Sequence, residues 1–66
     1  MKNRLRVERA ILAVTQQRMA EMIGVSRQTI NAIESGKYVP STVLALKIAR
    51  ACGKRVEEIF SLEETD

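Results

Sequence analysis

Apolar side chains along this 66-residue chain recur at helical spacing, and no stretch alternates like a strand. Gly24, Gly36, Gly53 and Pro40 punctuate it, leaving segments of about 8–12 residues, the size of short helices. A first helix is predicted over residues 4–13, with Asn3 as its N-cap. Leu5, Leu12 and Val14 make one apolar line on it, and Val7 and Ile11 a second beside it. So wide a stripe suits one face for the core and one for a partner. Thr15 caps a second helix ending near Ile23, with Met19, Met22 and Ile23 inward and Gly24 as the residue that turns the chain. Ser26 caps a third helix to about Glu34, buried along Ile30 and Ile33. Residues 37–40 form a loop. Ser41 then caps a fourth helix to about Ala51, with Leu44, Leu46, Ile48 and Ala49 available for the core. A short fifth helix over residues 56–60 points Val56, Ile59 and Phe60 inward. Arg55 is a poor cap for it, partly offset by Glu57 and Glu58 in the first turn. The two ends, residues 1–3 and 61–64, are either frayed or a short strand pair. The expectation is an all-α, five-helix domain spanning residues 1–66.

Size and composition narrow the function. A chain this short buries only about 60% of its unfolded surface, so it needs a staple or a partner. One cysteine excludes an intrachain disulfide. With no histidine beside that cysteine, a Cys/His zinc site has too few ligands, and the usual general base is missing. No catalytic, metal or cofactor site is expected. At 45% hydrophobic and 29% charged, the composition is that of a globular chain. No apolar run approaches the ~18 residues of a membrane span, and Met1-Lys2-Asn3-Arg4 leads into no signal-type stretch. A cytoplasmic binding domain with no membrane partner is expected. Charge is segregated: the 11 Lys and Arg fall in residues 1–55 with only Glu8, Glu21 and Glu34, a net +8, whereas residues 56–66 carry five acids and no base, a net −5. A polyanion would meet the body and avoid the acidic tail, residues 61–66.

The informative stretch is residues 16–35, Gln-Gln-Arg-Met-Ala-Glu-Met-Ile-Gly-Val-Ser-Arg-Gln-Thr-Ile-Asn-Ala-Ile-Glu-Ser. It reads as a helix-turn-helix. Small Ala20 sits where two helices cross, Gly24 turns the chain, and Met19, Val25, Ile30 and Ile33 fill the wedge. Arg27, Gln28 and Asn31 are left on the free face of the third helix. Arg pairs bidentately with guanine and Gln or Asn with adenine, and the start of such a helix is where side chains meet the major groove. These three are the candidate base readers.

The chain resembles the phage-repressor/Cro-type (XRE-like) helix-turn-helix regulators, most of all short stand-alone bacterial and archaeal repressors of the cytolysin-repressor kind. The resemblance spans nearly the whole chain. It is strongest in Thr15-Gln16, in residues 24–34, in Gly36-Lys37-Tyr38 through Pro40-Ser41, in residues 45–50 and in Glu57-Glu58-Ile59-Phe60. It implies that Gln16 binds phosphate and braces Gln28, and that Ser26, Ser35 and the backbone amide of Lys37 hold the DNA backbone. It also implies a partly buried salt bridge between Arg9 and Glu34. The sequence departs from the family pattern at Val39, Thr42-Val43 and Lys54-Arg55, which bears on local packing rather than on the DNA face. Cys52 reads as a small core residue.

Together these features predict a sequence-specific regulator of double-stranded DNA, a repressor by steric occlusion, acting as a homodimer on a near-palindromic operator. Its dimer interface is expected on the spare apolar residues Val7, Ile11, Ile59 and Leu62. Two other readings share the scaffold: an antitoxin whose fifth helix and tail hold a toxin, and a protein-interaction module without DNA. An acidic-tail contact with polymerase is a further possibility within the first reading.

Overall fold

The computed structural model describes all residues, Met1–Asp66. Five helices follow one another: α1 Leu5–Leu12, α2 Gln16–Ile23, α3 Arg27–Glu34, α4 Thr42–Cys52 and the single turn α5 Val56–Ile59. The ends pair as an antiparallel two-strand ribbon, β1 Lys2–Asn3 and β2 Phe60–Ser61, in the register Lys2 opposite Ser61 and Asn3 opposite Phe60.

Local sequence sets three of the helix starts. The hydroxyls of Thr15, Ser26 and Ser41 accept from the amides of Arg18, Thr29 and Leu44 at 3.0, 3.2 and 3.2 Å, each satisfying one orphan donor of a first turn. The first helix differs from expectation. Its cap is Arg4, which gives no side-chain bond, and Asn3 lies one residue earlier. Asn3 Oδ1 still accepts from the Leu5 amide at 3.1 Å, while its Nδ2 donates to the Ile33 carbonyl at 2.8 Å. The expected cap is thus also a tether between the start of the chain and the end of α3. At the other end, Ala13 closes α1 in the left-handed region at φ 57, a conformation that costs an L side chain about 1–2 kcal/mol. α5 opens with the Arg55 amide donating to Glu58 Oε1 at 3.0 Å, so the acid three residues on supplies what the cap residue lacks.

The core holds Leu5, Met19, Ala20, Ile23, Ile30, Ile33, Leu44, Ile48, Ala49, Ile59 and Phe60, with Met1, Val14, Val25, Ala45, Ala51, Cys52 and Val56 packed around it. Several expected inward residues face out: Leu12, Met22 and Leu46. On α4 the inward row is Leu44 and Ile48, one turn apart, and Leu46 lies two residues from each, across the helix. Ile59 carries two expectations, inward on α5 and spare at an interface. It is 2% exposed, so the inward one holds and the interface one does not: its carbonyl accepts from the Arg4 amide at 2.8 Å and β2 follows at once.

One buried charge was not foreseen. Glu8, a turn beyond Leu5 on the inward face of α1, is 2% exposed. Lys54 Nζ meets its carboxylate at 3.1 and 3.2 Å, so the unusual lysine before α5 is the counter-ion. Cys52 lies near this pair; burial and then the charge of Glu8 push its thiol pKa up, which makes it a packing residue rather than a reactive one.

Candidate nucleic-acid interface

Residues 16–34 fold as two eight-residue helices joined by a turn of three. Gly24 takes φ 85, and both its amide and that of Val25 donate to the single carbonyl of Ala20, at 2.8 and 3.0 Å. A side chain at position 24 would be strained at that φ. Ala20, 1% exposed, lets the helices approach, and Met19, Ile23, Ile30 and Ile33 lock the crossing from the core side.

That packing leaves one face of α3 uncovered. Arg27, Gln28 and Asn31 are all exposed there. Arg27 and Asn31 are one turn apart and Gln28 lies alongside, so the three form a contiguous polar patch in the first turn and a half. None of the three side chains is engaged within the chain. Their donors and acceptors are free. The Ser26 hydroxyl is exposed but occupied by the cap and by Thr29 Oγ1 at 3.0 Å. The Ser35 hydroxyl, past the far end of α3, donates to the Ala32 carbonyl at 3.2 Å. Lys37 departs from expectation. Its amide already donates to the Ala32 carbonyl at 2.9 Å, where it closes the helix end, so only its exposed ammonium is available to phosphate.

Behind the patch lies a charged hub. The Glu34 carboxylate has a side chain only 1% exposed. Arg9 donates to it through Nε at 2.8 Å and Nη2 at 3.3 Å, and its third nitrogen, Nη1, donates to the Val14 carbonyl at 3.1 Å. Gln16 Nε2 donates to the same carboxylate at 3.1 Å, and Arg6 Nε stands 3.6 Å away. Gln16 therefore braces Glu34 and not Gln28: an ionised carboxylate is the stronger acceptor. Burial pushes the Glu34 carboxyl pKa up. The hydrogen bonds from Arg9 and Gln16 and the charges of Arg9 and Arg6 outweigh that, holding it below its ordinary value. Arg6 was not singled out from sequence; its placement one turn before Arg9 was the available signal.

Of the expected partner-facing residues, Val7, Ile11 and Leu62 are exposed, and Ile59 is not. No helix is long and apolar enough to cross a membrane.

A two-helix unit locked at a glycine turn, with a free polar face on the second helix, is the helix-turn-helix of DNA-binding proteins. The chain belongs to the helix-turn-helix family, whose model matches residues 5–59, and within it to the XRE-like DNA-binding transcriptional regulators. It is 52% identical over 66 residues to an uncharacterized HTH-type transcriptional regulator of Methanocaldococcus jannaschii, covering 100% of both chains. It is 48% identical over 64 residues to the uncharacterized HTH-type transcriptional regulator YgzD of Bacillus subtilis, covering 97% of each. Among solved structures it is similar to the restriction-modification controller protein C.AhdI from Aeromonas hydrophila, with TM-score 0.78, 30% identity and 85% of both chains covered.

Proposed function

We propose that this chain is a sequence-specific repressor that binds a near-palindromic operator as a homodimer, acting on DNA in the cytoplasm. In this reading α3 enters the major groove. Arg27, Gln28 and Asn31 read base edges, while Gln16, Ser26, Ser35 and the Lys37 ammonium position the DNA backbone. Two subunits place their α3 helices about 34 Å apart, on half-sites one turn apart. Occupancy blocks transcription sterically. The observation that carries this reading is the free Arg27, Gln28 and Asn31 patch on a helix whose orientation the core and the Glu34 hub hold rigid.

Selection of bound sequences from random DNA tests it. The expected product is a two-fold symmetric site bound at least about 10³-fold more tightly than random DNA, with log affinity falling against log salt at about −0.9 per neutralised phosphate. Arg27→Ala and Gln28→Ala each cost about 1–3 kcal/mol per half-site on that sequence and leave the thermal midpoint unchanged, because both side chains are exposed. Variants that bind the selected site like wild type would remove the base-reading assignment.

A further inference from the structure

We propose that Arg6 is a further DNA-backbone residue, whose guanidinium grips one phosphate together with the Gln16 amide, both aimed by the buried Glu34 carboxylate. The inference rests on the DNA binding of the proposed function and adds a contact to it. Arg6 Nε stands 3.6 Å from Glu34 Oε1, and Gln16 Nε2 donates to that same oxygen at 3.1 Å. The two side-chain ends are therefore no more than about 7 Å apart, although one comes from α1 and the other from the first residue of α2. A phosphate between them is within reach of both, at about 2.8 Å for each charge-assisted bond.

The bonding state of Arg6 sets it apart. Its side chain is 75% exposed. The hydrogen bonds to Glu34 come from Arg9 and Gln16, so Arg6 is held beside the carboxylate by charge alone and keeps its N–H donors free. Arg9 already balances Glu34. Two guanidinium groups against one carboxylate leave a positive charge in excess, and the exposed end of the cluster is Arg6. The other exposed, ion-paired arginines are matched by exposed acids, Arg18 by Glu21 and Arg55 by Glu57 and Glu58, so no charge is left over there. Gln16 also has a donor left: one hydrogen of its Nε2 goes to Glu34, and the second sits on the same, now oriented, nitrogen. A planar guanidinium and a fixed amide N–H converging from two helices match phosphate oxygens, and the anion neutralises the excess charge. The placement selects backbone over base. Glu34 ends α3, whereas Arg27, Gln28 and Asn31 occupy its first turn and a half. At about 1.5 Å of rise per residue the cluster stands about 10 Å along α3 from Arg27. It lies on the side of α3 that α1 and α2 cover, so its ligand is the backbone beside the groove. Such a contact fixes register and carries no sequence information.

Binding of the full chain to its selected DNA site over a range of salt tests this. For Arg6→Gln the slope of log affinity against log salt becomes shallower by about 0.9 for each copy of the chain on the site. Affinity falls by about the same factor on selected and on random DNA, so the ratio between them is kept. The thermal midpoint is unchanged, because Arg9 and Gln16 make the hydrogen bonds to Glu34. Arg6→Lys, which keeps the charge, keeps the wild-type slope, and so does the control Arg55→Gln. A neutral methylphosphonate placed at each phosphate of the site in turn locates the shared group: at one position it costs the wild type more than it costs either Arg6→Gln or Gln16→Ala. An Arg6→Gln chain with the wild-type slope overturns the assignment, and a lowered thermal midpoint beside it makes Arg6 a counter-ion of Glu34 alone. A methylphosphonate scan in which no position separates wild type from the two variants overturns the shared grip. A wild-type chain that selects a DNA sequence, with Arg6 variants that bind it equally well, sinks this inference and leaves the proposed function standing. A wild-type chain that binds no DNA sinks both.

Discussion

Replacing Arg9 with methionine isolates the energetics of the Glu34 hub. Methionine keeps most of the aliphatic stem and removes the guanidinium. What remains is a carboxylate 1% exposed, with Gln16 as its nearest donor and the Arg6 guanidinium at 3.6 Å. Removing one partner of a buried ion pair costs about 3–5 kcal/mol, because the surviving charge is left uncompensated. Gln16 still donates, so the lower end applies, about 3 kcal/mol. A domain of this length holds roughly 3–10 kcal/mol in total. Arg9→Met therefore removes a large share of it, and the urea midpoint falls by about 3 M at an m-value of about 1 kcal/mol/M. Helical circular dichroism of both proteins at one fixed concentration reads this.

The pH dependence tests the cause. In the wild type, Glu34 has its folded pKa below the ordinary value of 4.5, so its contribution is fully present above that value and is lost as pH falls through the depressed folded pKa. In Arg9→Met the balance inverts: burial, no longer outweighed, raises the folded pKa. The penalty is then full near neutrality and shrinks as pH falls and the buried carboxyl takes up its proton. The gap between the two proteins narrows from about 3 kcal/mol at neutral pH to about 1 kcal/mol or less at acid pH. A gap that stays constant across that range would show that the loss comes from the Val14 carbonyl bond and stem packing, and would refute the uncompensated-charge reasoning.

Two further expectations follow from the same geometry. Lys54→Met strands the Glu8 carboxylate and costs about 3 kcal/mol, whereas the double variant Glu8→Leu with Lys54→Met returns to wild-type stability within about 1 kcal/mol, both by urea melts; equal losses in the two would show that the lysine stem rather than the charge matters. Ala13→Gly raises stability by about 0.5–1 kcal/mol, because the relief of a left-handed alanine exceeds the extra unfolded-state freedom of glycine; a lower thermal midpoint would contradict it.

Much of this architecture is local, and the local part was legible in the residues. The Thr15, Ser26 and Ser41 caps and the Gly24 turn each need only a few neighbours in sequence. The free trio on α3 follows from helical period once Ile30 and Ile33 are taken as buried. The misread features depend on what a distant segment does. Gln16 turns to Glu34, 18 residues on, because a buried carboxylate out-competes a neutral amide. Glu8 enters the sequence reading only as one of three acids in a basic body; its burial depends on a counter-ion, Lys54, 46 residues away. Ile59 is read both as inward and as spare, because α5 alone does not show that β2 folds back against β1. Leu46 looked like core because α4 is apolar on more than one side, and only packing decides which side is covered.

The directional bonds cluster at one place, and that placement has a consequence for reading DNA. Glu34 is the last residue of α3, and it is bonded to α1 through Arg9 and to α2 through Gln16. The carbonyl of Ile33, its neighbour, is held by Asn3 of β1. The core beneath α3 consists of Met, Ile and Leu side chains, whose attraction is non-directional and changes little when a helix rotates by a fraction of a turn. Charge-assisted bonds near 3 Å do not permit that rotation. A turn of α3 about its axis would swing Arg27, Gln28 and Asn31 together away from the direction they now face and would break the Arg9, Gln16 and Asn3 contacts. The apolar core thus supplies cohesion, and the buried polar anchor sets the angle at which the three free side chains are presented.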